Sequence, residues 1–393
     1  MPRPLAATAW FALALALTSC VGCEGRPVAP DADEGGPSPP PDWPMFRGGP
    51  DLRGVAAGHL PDALAPEWTF ETEGPIVAST AVADGRVFVG SGDFKVYALA
   101  LASGEKIWSR ATEAEVQAAP LVLDGTVYVG STDGRLYALS AGDGSVRWSY
   151  ETDDKIAGAA NVAPGAEGAA GGILVGSYDF HLHCVDAETG KVRWTVETEN
   201  YVNGTPAVSG GTAVFGGCDG LLHVVDLAAG KEVRTIDAGA YVAASPALGD
   251  GLAFAGSVDG RLLAADLATG QIRWRYAPDE AEFFCSPALG ETVVFIGSRD
   301  KRLHAVDRKT GNVRWTFATR GEVDSAPVLV GGKVLFGSAD GRLYMVRADD
   351  GRQVWAWDLG ARVTASPAVA GRRVLVGNED GTLYCFRPKG KQQ

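Results

Sequence analysis

One stretch of sequence decides the fold of this chain: residues 116–150, VQAAPLVLDGTVYVGSTDGRLYALSAGDGSVRWSY. It contains four short runs rich in β-branched and aromatic residues, separated by turns that contain glycine. Such runs are typical of β-strands joined by tight turns. No glycine-free segment of it is long enough to carry the apolar stripe of a three-turn helix. The stretch therefore predicts a four-stranded antiparallel sheet.

The same unit recurs along the chain and is marked by a turn of the form Gly-small-x-Asp. The aspartates of this marker are Asp93, Asp133, Asp179, Asp219, Asp259, Asp300, Asp340 and Asp380. Their spacings are 40, 46, 40, 40, 41, 40 and 40 residues, a period typical of propellers and helical arrays. Because the units are β-rich, we expect a propeller. Because one active site needs only one set of residues, we expect all eight aspartates to be structural. The extra residues of the long spacing, 164–171, are placed in a loop between the first and second strands of their unit.

The two ends of the repeat are incomplete in complementary ways. A strand of the fourth type, residues 66–71, precedes the first full unit, and the last unit, residues 363–386, has only three strands. An open array would leave bare strand edges, which promote aggregation. If residues 66–71 supply the missing outer strand, the ring has eight blades, within the usual range. We therefore predict an all-β, eight-bladed propeller over residues 42–387, closed by this N-terminal strand, with a polar tail at 388–393.

A tryptophan recurs in the fourth strand and ends the pattern Asp-x-x-Thr-Gly-x-x-x-Trp in three units. In this turn we expect the Asp to cap the backbone and the Gly to be left-handed. The Trp is expected to be buried between neighbouring blades. The predicted docking residues are Trp68, Trp108, Trp148, Trp194, Trp274, Trp315 and Trp355, and Arg234 stands at this position in one unit.

This pattern resembles the tryptophan-docking motif of the pyrroloquinoline-quinone (PQQ) propeller superfamily. Residues 42–49, DWPMFRGG, also resemble the segment that leads into such propellers. The resemblance covers residues 42–387 and implies the fold. It says much less about activity, because the motif is architectural and one fold supports many functions.

The first forty residues resemble an export signal followed by a tether. An apolar run over residues 5–17 is too short to span a bilayer and ends in Leu17-Thr18-Ser19-Cys20, which resembles a bacterial lipobox. The resemblance implies a signal peptide over residues 1–19 and lipidation of Cys20; an ordinary secretory signal, or lipidation of Cys23, is the alternative. Residues 20–41 are rich in Pro, Gly and Asp, and we expect a flexible linker there.

A lipid-anchored ring of this length resembles the BamB family of outer-membrane assembly lipoproteins. The resemblance implies a non-catalytic scaffold on the periplasmic face of the outer membrane, held there by its lipid anchor. It would bind a protein partner and be a monomer outside that complex. The net charge is −13, and Lys and Arg are not clustered, so nucleic acid is not an expected partner.

Two other functions are alternatives. One is a PQQ-dependent dehydrogenase, in which the quinone and Ca²⁺ sit on the propeller axis beside adjacent cysteines. This chain has no Cys-Cys pair, no Cys-x-x-Cys-His and no long loops that would enclose a pocket, so neither cofactor is expected. The other is a small-ligand sensor that uses the axial funnel.

The histidines and cysteines do not predict a metal site or a disulfide framework. His183, His223 and His304 stand on third strands where most other units have Tyr, so we interpret them as substitutes at a packing position. His181 shares a strand face with His183, but no third ligand is evident near them in the sequence, and no metal is predicted. The cysteines of the repeats, Cys184, Cys218, Cys285 and Cys385, are expected to be unpaired thiols. A disulfide between Cys184 and Cys218 in neighbouring blades is the one exception to check.

Departures from the repeat indicate a candidate partner surface. The loops that cross between blades carry Tyr201 and Tyr241 in two adjacent blades, and Phe283 and Phe284 follow in the next. We expect an aromatic patch over about three blades, flanked by Glu282 and Glu322, and aromatic clusters with polar rims are common at protein interfaces. The alternative is that these rings plug the funnel of the propeller.

Overall fold

The computed structural model describes residues 42–165 and 171–389. Within them the chain forms 33 strands and one turn of 3-10 helix, Phe46–Gly48. Four sequence predictions fall partly or wholly outside the described residues: the signal peptide, Cys20 with its linker, residues 166–170 of the long loop, and residues 390–393 of the tail. In the part of the chain that is described, no helix is long and apolar enough to cross a membrane.

The strands form eight sheets, which confirms the predicted all-β, eight-bladed propeller. The first strands of neighbouring blades contact one another around the axis, and the fourth strands form the rim. Two strands precede the first blade, β1 (Val55–Ala56) and β2 (Leu64–Glu71). Blade 1 comprises β3 (Ala81–Ala83), β4 (Arg86–Ser91), β5 (Lys95–Ala100) and β6 (Lys106–Ala111), and blade 2 comprises β7 (Leu121–Leu123), β8 (Thr126–Gly130), β9 (Arg135–Ser140) and β10 (Val146–Glu151). Blade 3 comprises β11 (Asn161–Ala163), β12 (Gly172–Gly176), β13 (His181–Asp186) and β14 (Val192–Glu197), and blade 4 comprises β15 (Ala207–Ser209), β16 (Thr212–Gly216), β17 (Leu221–Asp226) and β18 (Lys231–Asp237). Blade 5 comprises β19 (Ala247–Gly249), β20 (Leu252–Gly256), β21 (Leu262–Asp266) and β22 (Ile272–Tyr276), and blade 6 comprises β23 (Ala288–Leu289), β24 (Val293–Ser298), β25 (Arg302–Asp307) and β26 (Val313–Ala318). Blade 7 comprises β27 (Val328–Val330), β28 (Lys333–Gly337), β29 (Arg342–Arg347) and β30 (Gln353–Asp358), and blade 8 comprises β31 (Ala368–Ala370), β32 (Arg373–Gly377) and β33 (Thr382–Pro388) together with β2.

The ring is closed by β2, as the incomplete ends of the repeat predict. β2 pairs antiparallel with β33, and Glu71 lies opposite Thr382. Arg373 of β32 also forms a two-pronged ion pair with Glu67 of β2, in which the shorter contact is 2.6 Å. β2 begins two residues before the predicted strand, and β33 extends to Pro388, a residue that the sequence assigned to the tail.

The segment that leads into the ring lies against the inner strands. Backbone carbonyls of residues 44–54 accept hydrogen bonds from first-strand amides of blades 2, 4, 5, 6 and 7, and Trp43 forms a two-way backbone bridge with Val82 of blade 1. In blade 3, Asn161 donates its side-chain amide to the carbonyl of Pro50 at 2.8 Å. β1 then pairs in parallel with β27, so blade 7 has five strands rather than the four expected. The segment thus ties seven blades together.

Two recurrent contacts set the spacing between blades. The marker glycine of each blade lies against a large apolar side chain that follows the next crossover loop: a Cβ at Gly130 would come within 2.2 Å of Ile156. Glycine is required there for close approach. At the rim, the indole of Trp108 lies over Gly144, whose φ is +71°, and its Nε1 donates to the carbonyl of Ala141 at 3.1 Å.

The other predicted docking residues lie at the same kind of junction. Trp194 packs over Gly230, and Arg234 donates to two carbonyls of blade 5. Trp355 contacts Phe386 of blade 8 instead, with ring centroids 5.4 Å apart. The indoles that donate to a carbonyl of the next blade in the manner of Trp108 belong to Trp68, Trp148, Trp274 and Trp315.

Candidate interaction surface

One face of the propeller carries both the crossover loops and the marker turns, and we call it the crossover face. The two loop types are joined by backbone hydrogen bonds: the amide of Tyr178 donates to Lys155, that of Cys218 to Tyr201, and that of Val258 to Tyr241. The opposite face carries the turns between first and second strands and between third and fourth strands, and we call it the turn face. Each crossover loop is therefore joined to the marker turn of the blade that it enters, and its side chains also reach the marker turn of the preceding blade, as Tyr201 reaches Tyr178.

An exposed aromatic cluster lies on the crossover face at the junction of blades 3 and 4. The ring of Tyr201 stacks on Tyr178 with centroids 4.6 Å apart and lies 5.3 Å from Phe180. Lys155 Nζ lies 4.2 Å from the Tyr178 centroid, within range of a cation–π contact. Tyr241, at the position of Tyr201 one blade further on, is 53% exposed. We call Tyr178, Phe180, Tyr201 and Tyr241 the crossover-face cluster.

Phe180 occupies a backbone site that does not suit it. Its φ is +72° and its side chain is 41% exposed. Five of the eight blades place glycine at this position, directly after the marker Asp, and glycine adopts positive φ without strain. Phe94 in blade 1 and Lys301 in blade 6 adopt the same conformation at this position, so positive φ alone does not set Phe180 apart. Phe180 differs in that its ring contacts Tyr201.

The predicted patch is wrong in its extent. Phe283 is fully buried at 0% exposure, at the repeat position that carries Val or Ile in the other blades. Phe284 is half-buried, lies beneath the guanidinium of Arg299 at 3.6 Å, and lines the axial cavity. Glu282 is exposed, whereas Glu322 pairs with Arg362 at 3.3 Å. The exposed rings among the predicted residues therefore lie between blades 3 and 5, and Phe94 adds a separate exposed ring on blade 1. Of the predicted rings only Phe284 faces the funnel.

The axial cavity is small and is closed on one side by the lead-in segment. Its volume is about 180 Å³, and Phe46 is part of its lining. Next to Phe46, Arg47 is buried and donates to the carbonyls of Pro287 and Pro327 at 2.7 and 2.6 Å. Burial lowers the pKa of this guanidinium to about 10. Small-molecule sites usually measure about 300–1,000 Å³.

The residues around this cavity do not fit PQQ with Ca²⁺. Asp324 is a carboxylate of the lining, and it is already paired with Arg299 at 3.1 Å. Hydroxyls of the lining already form hydrogen bonds between neighbouring blades: the Thr205 hydroxyl accepts from the backbone amide of Ala159, and the Ser245 hydroxyl accepts from the backbone amide of Thr205. Ca²⁺ requires six to eight oxygen ligands. These polar side chains therefore join neighbouring blades around the axis.

A second concavity lies on the turn face, between blades 6 and 7. This groove measures about 1,230 Å³ and is lined by apolar side chains and by charged residues of both signs: Arg53, Arg314, Lys333, Arg347 and Arg352, with Asp62, Glu291 and Asp349. Lys333 pairs with Asp62 at 2.7 Å, whereas the buried Nε of Arg53 has no hydrogen-bond partner among the described residues. No sequence pattern indicates this groove, because part of its lining comes from the lead-in segment, which lies outside the repeat.

The marker aspartates accept hydrogen bonds from the third strand. Tyr137 donates its hydroxyl to Asp133 at 2.8 Å, and the same contact recurs in blades 1 and 7. Burial, followed by the hydrogen bond to Asp133, raises the pKa of Tyr137 to about 12. In blade 4, His223 makes the equivalent contact with Asp219 at 2.9 Å. The histidines at this position therefore replace the tyrosine hydroxyl.

One part of the metal prediction is wrong. His181 and His183 do have a third potential ligand nearby, the carboxylate of Asp179, and the donor atoms of all three lie within 4.8 Å of one another. From the sequence, Asp179 is assigned only to its turn. The cysteines of the repeats are unpaired, including Cys184 and Cys218. Burial raises the pKa of the Cys184 thiol to about 11.

The eight sheets, the docking contacts at the rim and the lead-in segment define a PQQ-like β-propeller. A sequence model of the family described as outer membrane protein assembly factor BamB matches residues 63–170, 162–283 and 280–393. The chain belongs to this family. No curated protein matches it by sequence.

Solved structures share the fold at low sequence identity. BamB from Moraxella catarrhalis is 21% identical with a TM-score of 0.71, over 84% of this chain and 99% of that one. The computationally designed protein Ika8 is 19% identical with a TM-score of 0.71, over 85% and 99%. The quinohemoprotein alcohol dehydrogenase from Comamonas testosteroni is 16% identical with a TM-score of 0.77, over 90% and 82%. The same fold therefore occurs in a BamB, a designed protein and an enzyme.

Proposed function

We propose that this chain is a non-catalytic scaffold that is anchored to the periplasmic face of the outer membrane and binds proteins there, in outer-membrane protein assembly. Membership of the BamB family supports this role. The observation that carries it is the crossover-face cluster, in which Phe180, Tyr201 and Tyr241 are exposed and the half-buried Tyr178 stacks on Tyr201. Aromatic anchors contribute much of the binding energy at protein interfaces.

Phe180 offers a test of this use of the surface. Replacing Phe180 by Gly should relieve a backbone cost of about 1 kcal/mol or more and remove an aromatic ring that contacts only Tyr201 in the cluster. If the ring serves binding, the Phe180→Gly variant should be at least as stable as the wild type but should bind its partner less well. If Phe180 served only the fold, the Phe180→Gly substitution would not lower partner binding while leaving stability intact.

The experiment is crosslinking in the intact cell, followed by identification of the captured proteins. The Tyr201→Ala, Tyr241→Ala double variant should lose the capture of outer-membrane assembly proteins without a change in melting temperature. The matched control is Val192→Ala with Val233→Ala, which truncates two exposed apolar residues outside the cluster. Unchanged capture by the tyrosine double variant, or equal loss in the control, would remove the cluster from consideration.

The anchor is tested separately at Cys20. The wild-type protein should incorporate labelled fatty acid and fractionate with the outer membrane, and Cys20→Ser should do neither. If Cys20→Ser remains lipidated while Cys23→Ser does not, the anchor is assigned to the wrong cysteine.

The groove on the turn face favours a second candidate function, the binding of a small anionic ligand. Arg53 contributes a buried nitrogen that has no hydrogen-bond partner among the described residues, and Arg352 also lines the groove. A thermal-shift screen of organic anions tests this function: a ligand that stabilises the wild type but not Arg352→Ala would support it.

The quinoprotein hypothesis is tested by a titration with PQQ and Ca²⁺. We expect no binding, and saturable binding together with reduction of a dye would support the enzyme hypothesis instead.

A further inference from the structure

We infer that blade 3 carries a binding site for a divalent transition-metal ion such as Zn²⁺, formed by Asp179, His181 and His183. Their donor atoms lie within 4.8 Å of one another. The side chains of Asp179 and His183 are each 7% exposed and that of His181 is 33% exposed, so the site opens to solvent on one side. Imidazole and carboxylate are preferred ligands of Zn²⁺, Ni²⁺ and Cu²⁺.

The two histidines replace residues of different character in the other blades. At the position of His183 the repeat has Tyr in four blades, and at the position of His181 it has a cation in five: Lys95, Arg135, Arg261, Arg302 and Arg342. In blades 1 and 5 that cation forms an ion pair with the marker aspartate. Blade 3 keeps the carboxylate and loses the cationic side chain, so a bound metal ion would supply the positive charge that other blades obtain from Lys or Arg.

The distances are close to those that a metal ion requires. Zn²⁺ bonds of about 2.0–2.2 Å in tetrahedral geometry place ligand atoms about 3.4 Å apart. Asp179 Oδ1 lies 3.1 Å from His183 Nε2 and 3.6 Å from His181 Nδ1, so these two separations need changes of only a few tenths of an ångström. The third separation, between the two imidazoles, is within 4.8 Å. To close it, the His181 ring must leave the backbone carbonyl of Asp179, which its Nδ1 contacts at 2.7 Å.

A hydrogen bond behind His183 orients its ring. Tyr150 Oη lies 2.9 Å from His183 Nδ1, so that Nε2 points toward Asp179. When a metal ion binds, Nε2 gives up its proton, and Nδ1–H donates to Tyr150. Partners of this kind fix the tautomer of a metal-bound histidine and typically change affinity by about 10–100-fold.

Blade 6 provides an internal control for this site. It has the same arrangement of a tyrosine, a histidine and the marker aspartate: Tyr276 Oη lies 3.0 Å from His304 Nδ1, and His304 Nε2 lies 3.0 Å from Asp300. It differs in carrying Arg302 where blade 3 has His181. The second histidine is therefore the only ligand that blade 6 lacks.

Isothermal titration of the full chain with ZnCl₂, and with CaCl₂ for comparison, tests the inference. The wild type should bind Zn²⁺ at the blade 3 site and show no matching Ca²⁺ binding. His181→Arg restores the residue of other blades and should lower the stoichiometry by one equivalent without a change in melting temperature. Tyr150→Phe should weaken binding about tenfold or more, and the matched control His223→Tyr should leave it unchanged.

A gain-of-site variant keeps the test independent of any loss of folding. Arg302→His should add one equivalent of Zn²⁺ in blade 6. The inference is overturned if the wild type does not bind Zn²⁺, if His181→Arg retains full stoichiometry, or if Arg302→His adds no site while remaining folded.

Discussion

Truncation of Trp108 is the sharpest test of how the blades are held together. Trp108 is the most buried docking tryptophan, at 8% exposure; it packs over Gly144 and donates to the Ala141 carbonyl. Burial of an aromatic side chain contributes about 1.5–3 kcal/mol, and the hydrogen bond about 0.5–1.5 kcal/mol. We therefore expect Trp108→Ala to lower the free energy of unfolding by about 3 kcal/mol, near the range for such truncations.

The assay is guanidinium unfolding followed by far-UV circular dichroism, which does not depend on the tryptophan that is removed. Ile107 lies next to Trp108 in β6 and is 43% exposed, so Ile107→Ala is the matched control and should change stability by no more than about 0.5 kcal/mol. A loss below 1 kcal/mol for Trp108→Ala, or an equal loss for the control, would refute the docking argument.

A second substitution separates the close contact from the backbone requirement. A Cβ at Gly144 would come within 2.6 Å of the Trp108 ring, at a φ of +71°. Gly144→Ala should therefore cost well over 2 kcal/mol in the wild type. In the Trp108→Ala background only the left-handed backbone penalty remains, about 1–2 kcal/mol. Equal costs in the two backgrounds would mean that the indole does not lie over this glycine.

Three further substitutions test other features of the ring. Arg47→Met leaves two buried carbonyls without their donor and should lower the free energy of unfolding by about 2–4 kcal/mol; an unchanged denaturation midpoint would show that this side chain does not hold the axis. Burial raises the pKa of Tyr137 to about 12, so the folded state keeps its proton at pH values where the unfolded state loses it, and stability should fall between pH 10 and 12 by roughly 1–2 kcal/mol for this residue. Tyr137→Phe should flatten that part of the stability–pH curve, and an unaltered slope would contradict the assignment. Arg234→Trp restores the docking residue and should raise stability by about 1 kcal/mol, whereas a loss would show that the blade 4 junction has adapted to arginine.

The repeat made most of the fold predictable, and its exceptions explain what was missed. Glycine turns and strand periodicity recur eight times, so each unit supports the interpretation of the others. The lead-in segment occurs once, and its hydrogen bonds to seven inner strands are tertiary contacts, six through the backbone and one through the Asn161 side chain; no periodic pattern indicates them. For the same reason the fifth strand of blade 7 and the turn-face groove were not foreseen.

The site was less predictable because surface and core residues alternate within a few positions of the crossover loops. Phe283 was placed on the surface by its aromatic character, yet it follows the loop at the position of Val116 and Val202, which pack against the marker glycine. Aligning it with these residues would have placed it in the core. Asp179 was set aside because its turn role sufficed to explain it, although a turn aspartate can also bind other groups.

The seam between β2 and β33 carries the central claim, and a designed disulfide tests it most directly. Opposing residues of antiparallel strands have Cα atoms about 4.5–5.5 Å apart, within the range that a disulfide spans. Glu71 lies opposite Thr382, so Glu71→Cys with Thr382→Cys should oxidise to a cross-link that mass spectrometry finds between these two peptides. Glu71→Cys with Arg342→Cys, at the equivalent position of blade 7, should not. Failure of the first pair to link, or linkage of the second, would contradict an eight-bladed ring sealed by its N-terminal strand.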